Sequence, residues 1–440
     1  MDLLVNTVQK FIAACGSRTT YWIAYSGGLD SHVLLHLFAA SRLLHPIQLR
    51  AVYINHGVSP HAEQWALHCA DICKNLNIDF TKYHIVNKNI SSSPEDSLRQ
   101  LRYEQFTQLL APKDILLTAH HQEDQAETVL LQLLRGAGPK GLAAMPSLKT
   151  LGNGLHGRPL LSLTRADLRQ YAIHHELCWI EDESNTNTNY TRNFLRHEVL
   201  PILTKRWPRV AKTLARVADN CAQSQQVLDS VIQPDLALIQ GKKPHTLSIK
   251  KLQQFDLNKQ IHLLRAWLLQ CNFSLPSAKK MQQLVKDVLE ARCDKMPYLA
   301  WRDVEIRRYR DDLFCLPVSA KRNSHQKMIW NLSESLSLQN GMLLQAKSIK
   351  GSGLRADISE VTLHFRIGGE TIQLPGRTHH HDLKKLFQTW GVPPWQRDQI
   401  PLAYVNDQLA AVVGFCVADQ FVARGDECGW SLSTDPKTIT

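Results

Sequence analysis

The hexapeptide Ser26-Gly27-Gly28-Leu29-Asp30-Ser31 constrains this chain more than any other stretch. It follows an apolar run, Tyr21-Trp22-Ile23-Ala24-Tyr25, and leads into Ser31-His32-Val33-Leu34-Leu35-His36-Leu37-Phe38. Strand, glycine turn and helix in that order make a cradle for phosphate. Glycines let backbone N–H groups approach an anion closely. The helix start adds unpaired N–H groups at the positive end of a dipole. No Lys follows the glycines, so this is not the GxxxxGK loop of the P-loop proteins. Asp30 adds a second condition. A carboxylate beside polyphosphate needs a cation between them, and Mg²⁺ takes such oxygen ligands, so Asp30 is the candidate metal ligand. A simple helix cap would require neither glycine.

Apolar runs and helical patterns alternate from residue 1 to about 205. Strands are predicted at Tyr21–Tyr25, Gln48–Ile54, Phe80–Ile85 and Asp114–Thr118, with helices starting at Asp30, Ala62, Pro94, Gln122 and Arg165. This alternation predicts an α/β fold, a parallel sheet with helices on both faces. Ligands in such sheets bind beyond the carboxyl ends of the strands. The glycine loop, Asn55-His56-Gly57 and Ala119-His120-His121 would all lie along that edge.

A chain of 440 residues exceeds what one core usually supports. The pattern is helical from about 209 to 290 and turns to short strands beyond 297, at Leu299–Tyr309, Met342–Ala346, Val361–Phe365 and Leu409–Phe415. The polar stretch Ala320–Lys327 reads as a linker. Three domains are expected: a catalytic domain at 1–208, a mainly helical domain at 209–320, and a small mixed α+β domain at 330–440.

Three further clusters carry chemistry. His120 and Asp124 are four apart and Asp124 and Glu127 three apart, spacings that share a helix face. A histidine and a carboxylate at the nucleotide edge could orient an amine and accept its proton, which makes His120 and Asp124 catalytic candidates beside Asp30. Favourable charges on an exposed helix start explain Glu127 equally well. Arg99 and Arg102 lie three apart on one helix, and Arg192 and Arg196 four apart just before Pro201. Arginine forks bind phosphate bidentately, whereas a solvated basic face is the commoner fate of helix arginines.

The formal net charge of +11 and a pI near 9.1 suggest a polyanionic partner, most simply nucleic acid. The ten cysteines include no CxxC pair and no zinc spacing, and Cys69 and Cys73 read as helix packing. Reduced thiols, no signal-peptide pattern in Met1–Asn6 and no membrane-length apolar run lead to a cytoplasmic protein as the expectation.

The hexapeptide resembles the SGGxDS loop of the ATP pyrophosphatases, which transfer AMP from ATP to a substrate oxygen and release pyrophosphate. That resemblance implies ATP bound at Ser26, Gly27, Gly28, Leu29, Asp30 and Ser31. The loop, the His120–Thr128 stretch, Arg135–Leu142, Arg158-Pro159-Leu160-Leu161 and Asp182–Pro201 stand in the order found in bacterial tRNA(Ile)-lysidine synthetases. Arg366–Glu370, Leu374–Arg377, Leu383–Phe387 and Val392–Asp398 are similar to that family's C-terminal domain.

The resemblance implies a two-step reaction on a minor isoleucine tRNA with a CAU anticodon. The wobble cytidine is adenylated at its carbon 2 oxygen, and free L-lysine then displaces AMP through its ε-amine. Arg99, Arg102, Glu127, Arg192, Arg196, Lys384 and Lys385 are the candidate substrate contacts, and a homodimer is compatible with the reading. The alternative is another ATP-dependent tRNA-modifying enzyme of the superfamily, such as a thiolase, which typically carries cysteine pairs. Basic clusters in the C-terminal half, including Lys384-Lys385 and Arg307-Arg308, would supply RNA phosphate contacts, with Trp395 as a stacking candidate. Trp267 and Trp301 read as core, and His379-His380-His381 as a polar loop.

Overall fold

A computed structural model of the chain describes residues 2–16, 19–55, 57, 59–84, 94–292, 295–318, 327–338 and 341–434. His56 and most of the expected linker, residues 320–326, lie outside the described residues. The chain divides into two compact units, Met1–Ser230 and Val231–Thr440. Among the described residues no helix is long and apolar enough to cross a membrane.

The first unit runs α1 (Asp2–Cys15), β1 (Thr20–Ala24), α2 (Leu29–Ser41), β2 (Gln48–Asn55), α3 (Ala62–Asn75), β3 (Asp79–His84), α4 (Pro94–Leu109) and β4 (Ile115–Leu117). It continues through α5 (Gln122–Leu134), α6 (Pro139–Leu142), β5 (Leu148–Leu151), β6 (Gly154–Gly157) and α7 (Arg165–His174). The sheet order is β3-β2-β1-β4-β6-β5. All neighbours pair in parallel except the edge hairpin of β5 with β6.

Alternation along β1 explains the two layers. Tyr21 and Ile23 are buried in a core with residues of α1, α2, α3 and α7. Trp22 points the other way, into a second cluster with Phe106 and Leu110. The chain leaves β1 toward β2 on one side and returns through β4 on the other. That makes the gap between the carboxyl ends of β1 and β4 the switch point of the sheet, where such folds bind ligands. The glycine loop follows β1, and His120-His121 follow β4.

After α7 come a 3₁₀ turn (Glu183–Thr186), α8 (Thr191–Phe194), a wide π-turn (Leu195–Val199), α9 (Leu200–Arg206) and α10 (Val210–Leu238). Pro201 offers no N–H to the carbonyl four residues back, and the wide turn accommodates the loss.

In the second unit β7 (Thr246–Ser248), β8 (Tyr298–Trp301), β9 (Val304–Tyr309) and β10 (Asp312–Pro317) form an antiparallel sheet ordered β7-β10-β9-β8. The single strand expected over Leu299–Tyr309 is a hairpin, because Arg302 adopts a positive φ of 48° and turns the chain. Trp267 and Trp301 are buried, in keeping with their reading as core. The remaining strands form a five-stranded, a four-stranded and a two-stranded sheet. His380–Asp382 is a strand paired with Thr371–Gln373, which corrects the loop expected there.

Candidate active site

The glycine loop is built for a small anion. Gly27 has φ +80°, and a Cβ there would meet Ile180 Cδ1 at 2.5 Å and Cys69 Sγ at 3.0 Å. Only glycine satisfies both constraints. Gly28 is different: its φ of −71° suits any residue, and a Cβ would meet nothing closer than 3.6 Å. Its missing side chain frees space for something outside the protein. Gly28 caps α2 without a side-chain hydrogen bond, which leaves the first-turn N–H groups for an anion. The loop is closed by Ser31, whose Oγ donates to Gly28 O at 3.0 Å and lies 3.1 Å from Ser26 Oγ.

Asp30 and Asp124 meet across His121. His121 Nε2 lies 3.7 Å from Asp30 Oδ2 and 3.4 Å from Asp124 Oδ2, and its Nδ1 is 3.0 Å from Glu123 Oε2. His121 is buried. Burial alone would lower its pKa. The hydrogen bond to Glu123 and the charges of Asp124 and Asp30 outweigh that, and the imidazole stands above its ordinary value. Burial pushes Asp30 upward among carboxylates. Asp124 moves down: burial opposes ionisation, but His121, His120, Arg192 and Arg196 together favour the anion. Asp30 Oδ1 is buried and has no hydrogen-bond partner.

Below this pair sits a carboxylate–arginine clamp. Glu127 is wholly buried. Arg192 Nε donates to its Oε2 at 2.8 Å, and Arg196 Nε donates to its Oε1 at 2.6 Å. Arg196 Nη2 reaches Asp124 Oδ1 at 2.9 Å. Glu127, Arg192 and Arg196 were expected to touch substrate; here they are occupied largely with one another.

A second polar chain fixes a tautomer. Arg158 only donates, and its Nη2 lies 3.0 Å from His156 Nδ1, which must accept. His156 Nε2 then carries the hydrogen and donates to Thr118 Oγ1 at 2.8 Å. The hydroxyl in turn donates to His120 Nδ1 at 2.7 Å, leaving the His120 hydrogen on Nε2. Burial lowers the pKa of His120 to about 3 and that of His156 to about 2, so both rings are neutral at pH 7. His120 therefore presents a donor rather than a strong base.

Arg99 and Arg102 flank Tyr103, their guanidinium carbons 5.2 and 6.0 Å from its ring, with Lys149 Nζ at 5.8 Å. Arg102 Nε and Arg158 Nε are buried without an acceptor. Burial, and then Arg158, lower the pKa of Lys149, as crowding of like charge requires. Such a cluster suits an anion.

In the second unit Lys384 and Lys385 are exposed on the helix Leu383–Thr389. Arg307 pairs with Glu305 at 2.8 Å, and buried Arg308 donates to the carbonyls of Val288, Leu289 and Ala291. Those two arginines serve the fold. Trp395 packs against Phe314 and Tyr309, with ring centroids 5.3 and 6.2 Å away.

Sequence reasoning placed His121 at the ligand edge without assigning it a role, with a solvated loop residue as the equal alternative, and it missed Thr118 and His156; His121 is buried. His121 had a signal, since it directly follows a strand at the ligand edge. Thr118 and His156 had none, because their meeting depends on the pairing of β4 with β6. Cys69 and Cys73 are buried in the core, as their spacing suggested.

Residues 3–203 match the model of the PP-loop domain. Residues 247–314 match the TilS substrate binding domain, and 361–434 the TilS substrate C-terminal domain. A protein of Coxiella burnetii named tRNA(Ile)-lysidine synthase is 44% identical over 434 residues, covering 97% of this chain and 96% of that relative. One of the same name from Legionella pneumophila strain Paris is 40% identical over 413 residues, covering 93% of this chain and 94% of the relative.

Proposed function

The chain belongs to the tRNA(Ile)-lysidine synthase family and is an ATP-dependent ligase that forms lysidine on tRNA; from that premise we propose how its residues divide the work. The wobble cytidine of the minor isoleucine tRNA is taken into the gap between the ends of β1 and β4. Its carbon 2 oxygen attacks the α-phosphorus of ATP while the bond to the β-phosphate breaks and pyrophosphate leaves. The ε-amine of free lysine then attacks carbon 2. The C–O bond breaks, AMP departs and the nitrogen passes a proton to the Asp124 carboxylate. Relatives named for lysidine formation favour this reading over the thiolase alternative.

In this reading the Ser26–Ser31 loop holds the phosphates. Asp30 Oδ1, buried without a partner, suits a single protein oxygen for Mg²⁺ that otherwise keeps water and phosphate ligands. When bound, that ion neutralises charge on the departing pyrophosphate. His120 donates from Nε2, and Asp124 with His121 orients the incoming amine. Glu127 positions Arg192 and Arg196 rather than touching substrate. Arg99 and Arg102 receive an anionic group of tRNA or lysine. The observation that carries the reading is the meeting of Asp30, His121, Asp124 and Arg196 at the switch point of the sheet.

The direct test supplies labelled lysine, ATP and tRNA with a CAU anticodon, followed by mass spectrometry of the nucleosides. One labelled lysidine should form per AMP and per pyrophosphate released. AMP release without a labelled nucleoside would overturn the two-step reading.

The exposed pair Lys384 and Lys385 is assigned to the tRNA backbone. Replacing both with Ala is expected to weaken all tRNAs alike and to reduce the log–log salt slope by about 0.7 to 0.9 for each lost phosphate contact. Affinity and slope equal to the parent's would remove them from the interface.

A further inference from the structure

We infer that Trp207, at the corner between α9 and α10, is an RNA-stacking platform flanked by phosphate-binding cations, a contact separate from the reacting centre. The inference rests on the family reading for the identity of the RNA, a tRNA. The corner itself is set by sequence. Pro208 excludes the preceding residue from the helical region, and Trp207 sits at φ −128°, ψ 87°. Its N–H still closes α9 by donating to Leu203 O at 2.7 Å, and its carbonyl accepts from Val210 N at 3.0 Å. The backbone holding the indole is thus pinned from both sides.

Trp207 as a whole residue is 57% exposed. A single exposed aromatic is ordinary on a protein surface, so the inference rests on what surrounds this one. A shallow groove of about 350 Å³ lies beside it, lined by Arg206, Trp207, Pro208, Arg209 and Thr213. The Arg206 guanidinium carbon is 5.8 Å from the ring. Lys205, Arg206, Arg209, Lys212 and Arg216 are all exposed. No Asp or Glu interrupts the sequence between Glu198 and Asp219. Exposed positive charge on both sides of an open aromatic face, with no ion pair to these five cations among the described residues, matches a polyanion with unstacked bases. Single-stranded RNA has both properties, a charged backbone and free π-faces. An apolar protein partner would leave these cations desolvated and unpaired.

The test compares Trp207→Ala, Trp207→Phe and the double change Arg209→Gln with Lys212→Gln in the full chain. Binding to a tRNA transcript is measured across salt concentrations, alongside turnover at saturating tRNA, thermal midpoint and sedimentation. Trp207→Ala should bind tRNA roughly 5- to 150-fold more weakly with an unchanged salt slope, the equivalent of one lost stacked base. Trp207→Phe should recover most of that loss. The double change should lower the slope by about 0.7 to 0.9 for each contact. Turnover at saturating tRNA and the thermal midpoint should match the parent's. A Trp207→Ala protein with the parent's tRNA affinity overturns the inference. So does a change in sedimentation without a change in affinity, which would make the corner a contact between copies of this chain. A parent protein that makes no lysidine would instead break the family reading and leave RNA binding at the corner to be judged by affinity alone.

Discussion

The Asp30→Asn protein is expected to fold with a thermal midpoint equal to the parent's or slightly above it, and to transfer AMP about 10²- to 10³-fold more slowly. The two halves of that result have separate causes. Asp30 Oδ1 is buried without a hydrogen-bond partner, and burial pushes the carboxyl pKa upward. Asp124 lies close enough to add repulsion. Holding an anion there costs stability, so an amide of the same shape relieves the fold. In the proposed reaction the same oxygen shares a cation with polyphosphate. Removing its charge removes stabilisation at the moment pyrophosphate leaves. Pyrophosphate exchange in the presence of tRNA reads the rate, and calorimetry reads the midpoint. Exchange within a few-fold of the parent's would discard Asp30 as the metal ligand. A fall in midpoint would make it a structural residue instead.

Glu127→Ala is expected to do the reverse, losing stability first and activity as a consequence. Both guanidinium groups of the clamp donate to this one buried carboxylate. Truncation leaves Arg192 and Arg196 facing a hole, with Asp124 as their remaining counter-charge. Breaking such a pair costs about 3 kcal/mol, at the lower end of the usual range because the arginine side chains keep 21% and 25% exposure. For a unit of this size that is a fall of about 6 to 12 °C in midpoint. Glu127→Gln keeps the shape and one acceptor and should fall about half as far. Asp124 loses its alignment with Arg196 in both, so lysidine formation drops with the midpoint. A midpoint within about 2 °C of the parent's would free Glu127 from the clamp and return it to the substrate contacts.

The contrast between Asp30 and Glu127 also shows what a sequence reader can and cannot see. Both are carboxylates near the starts of helices that follow parallel strands, Asp30 in the first turn and Glu127 in the second. Asp30 was legible because two glycines precede it, a local signal with one physical meaning. Glu127 was ambiguous because its partners lie on α8 and the π-turn, 65 and 69 residues away. The parallel strands were readable as short β-rich runs between helices. The edge hairpin of β5 and β6 was not, and with it went His156, which joins the polar chain only once β6 lies beside β4. Arg307 and Arg308 looked like a basic patch. In the strand they alternate, and Arg308 turns inward to carbonyls at the end of a helix. Charge is visible in sequence, but the face a charge occupies depends on register.

The position of β1 inside its sheet has a consequence for the protein's birth on the ribosome. One side of the strand is covered early by β2, but the other waits for β4. Trp22 Nε1 bonds to Asp114 Oδ2, a partner 92 residues downstream. Synthesis at about 5 to 20 residues per second leaves that edge of the central strand open for about 5 to 20 s. A nascent chain in this interval presents unpaired backbone and apolar surface at once, the combination that chaperones bind and that aggregates when they are scarce. The arginine clamp comes later still. A chain released before Arg192 carries the glycine loop but neither of the arginines that hold Glu127 and bind Asp124.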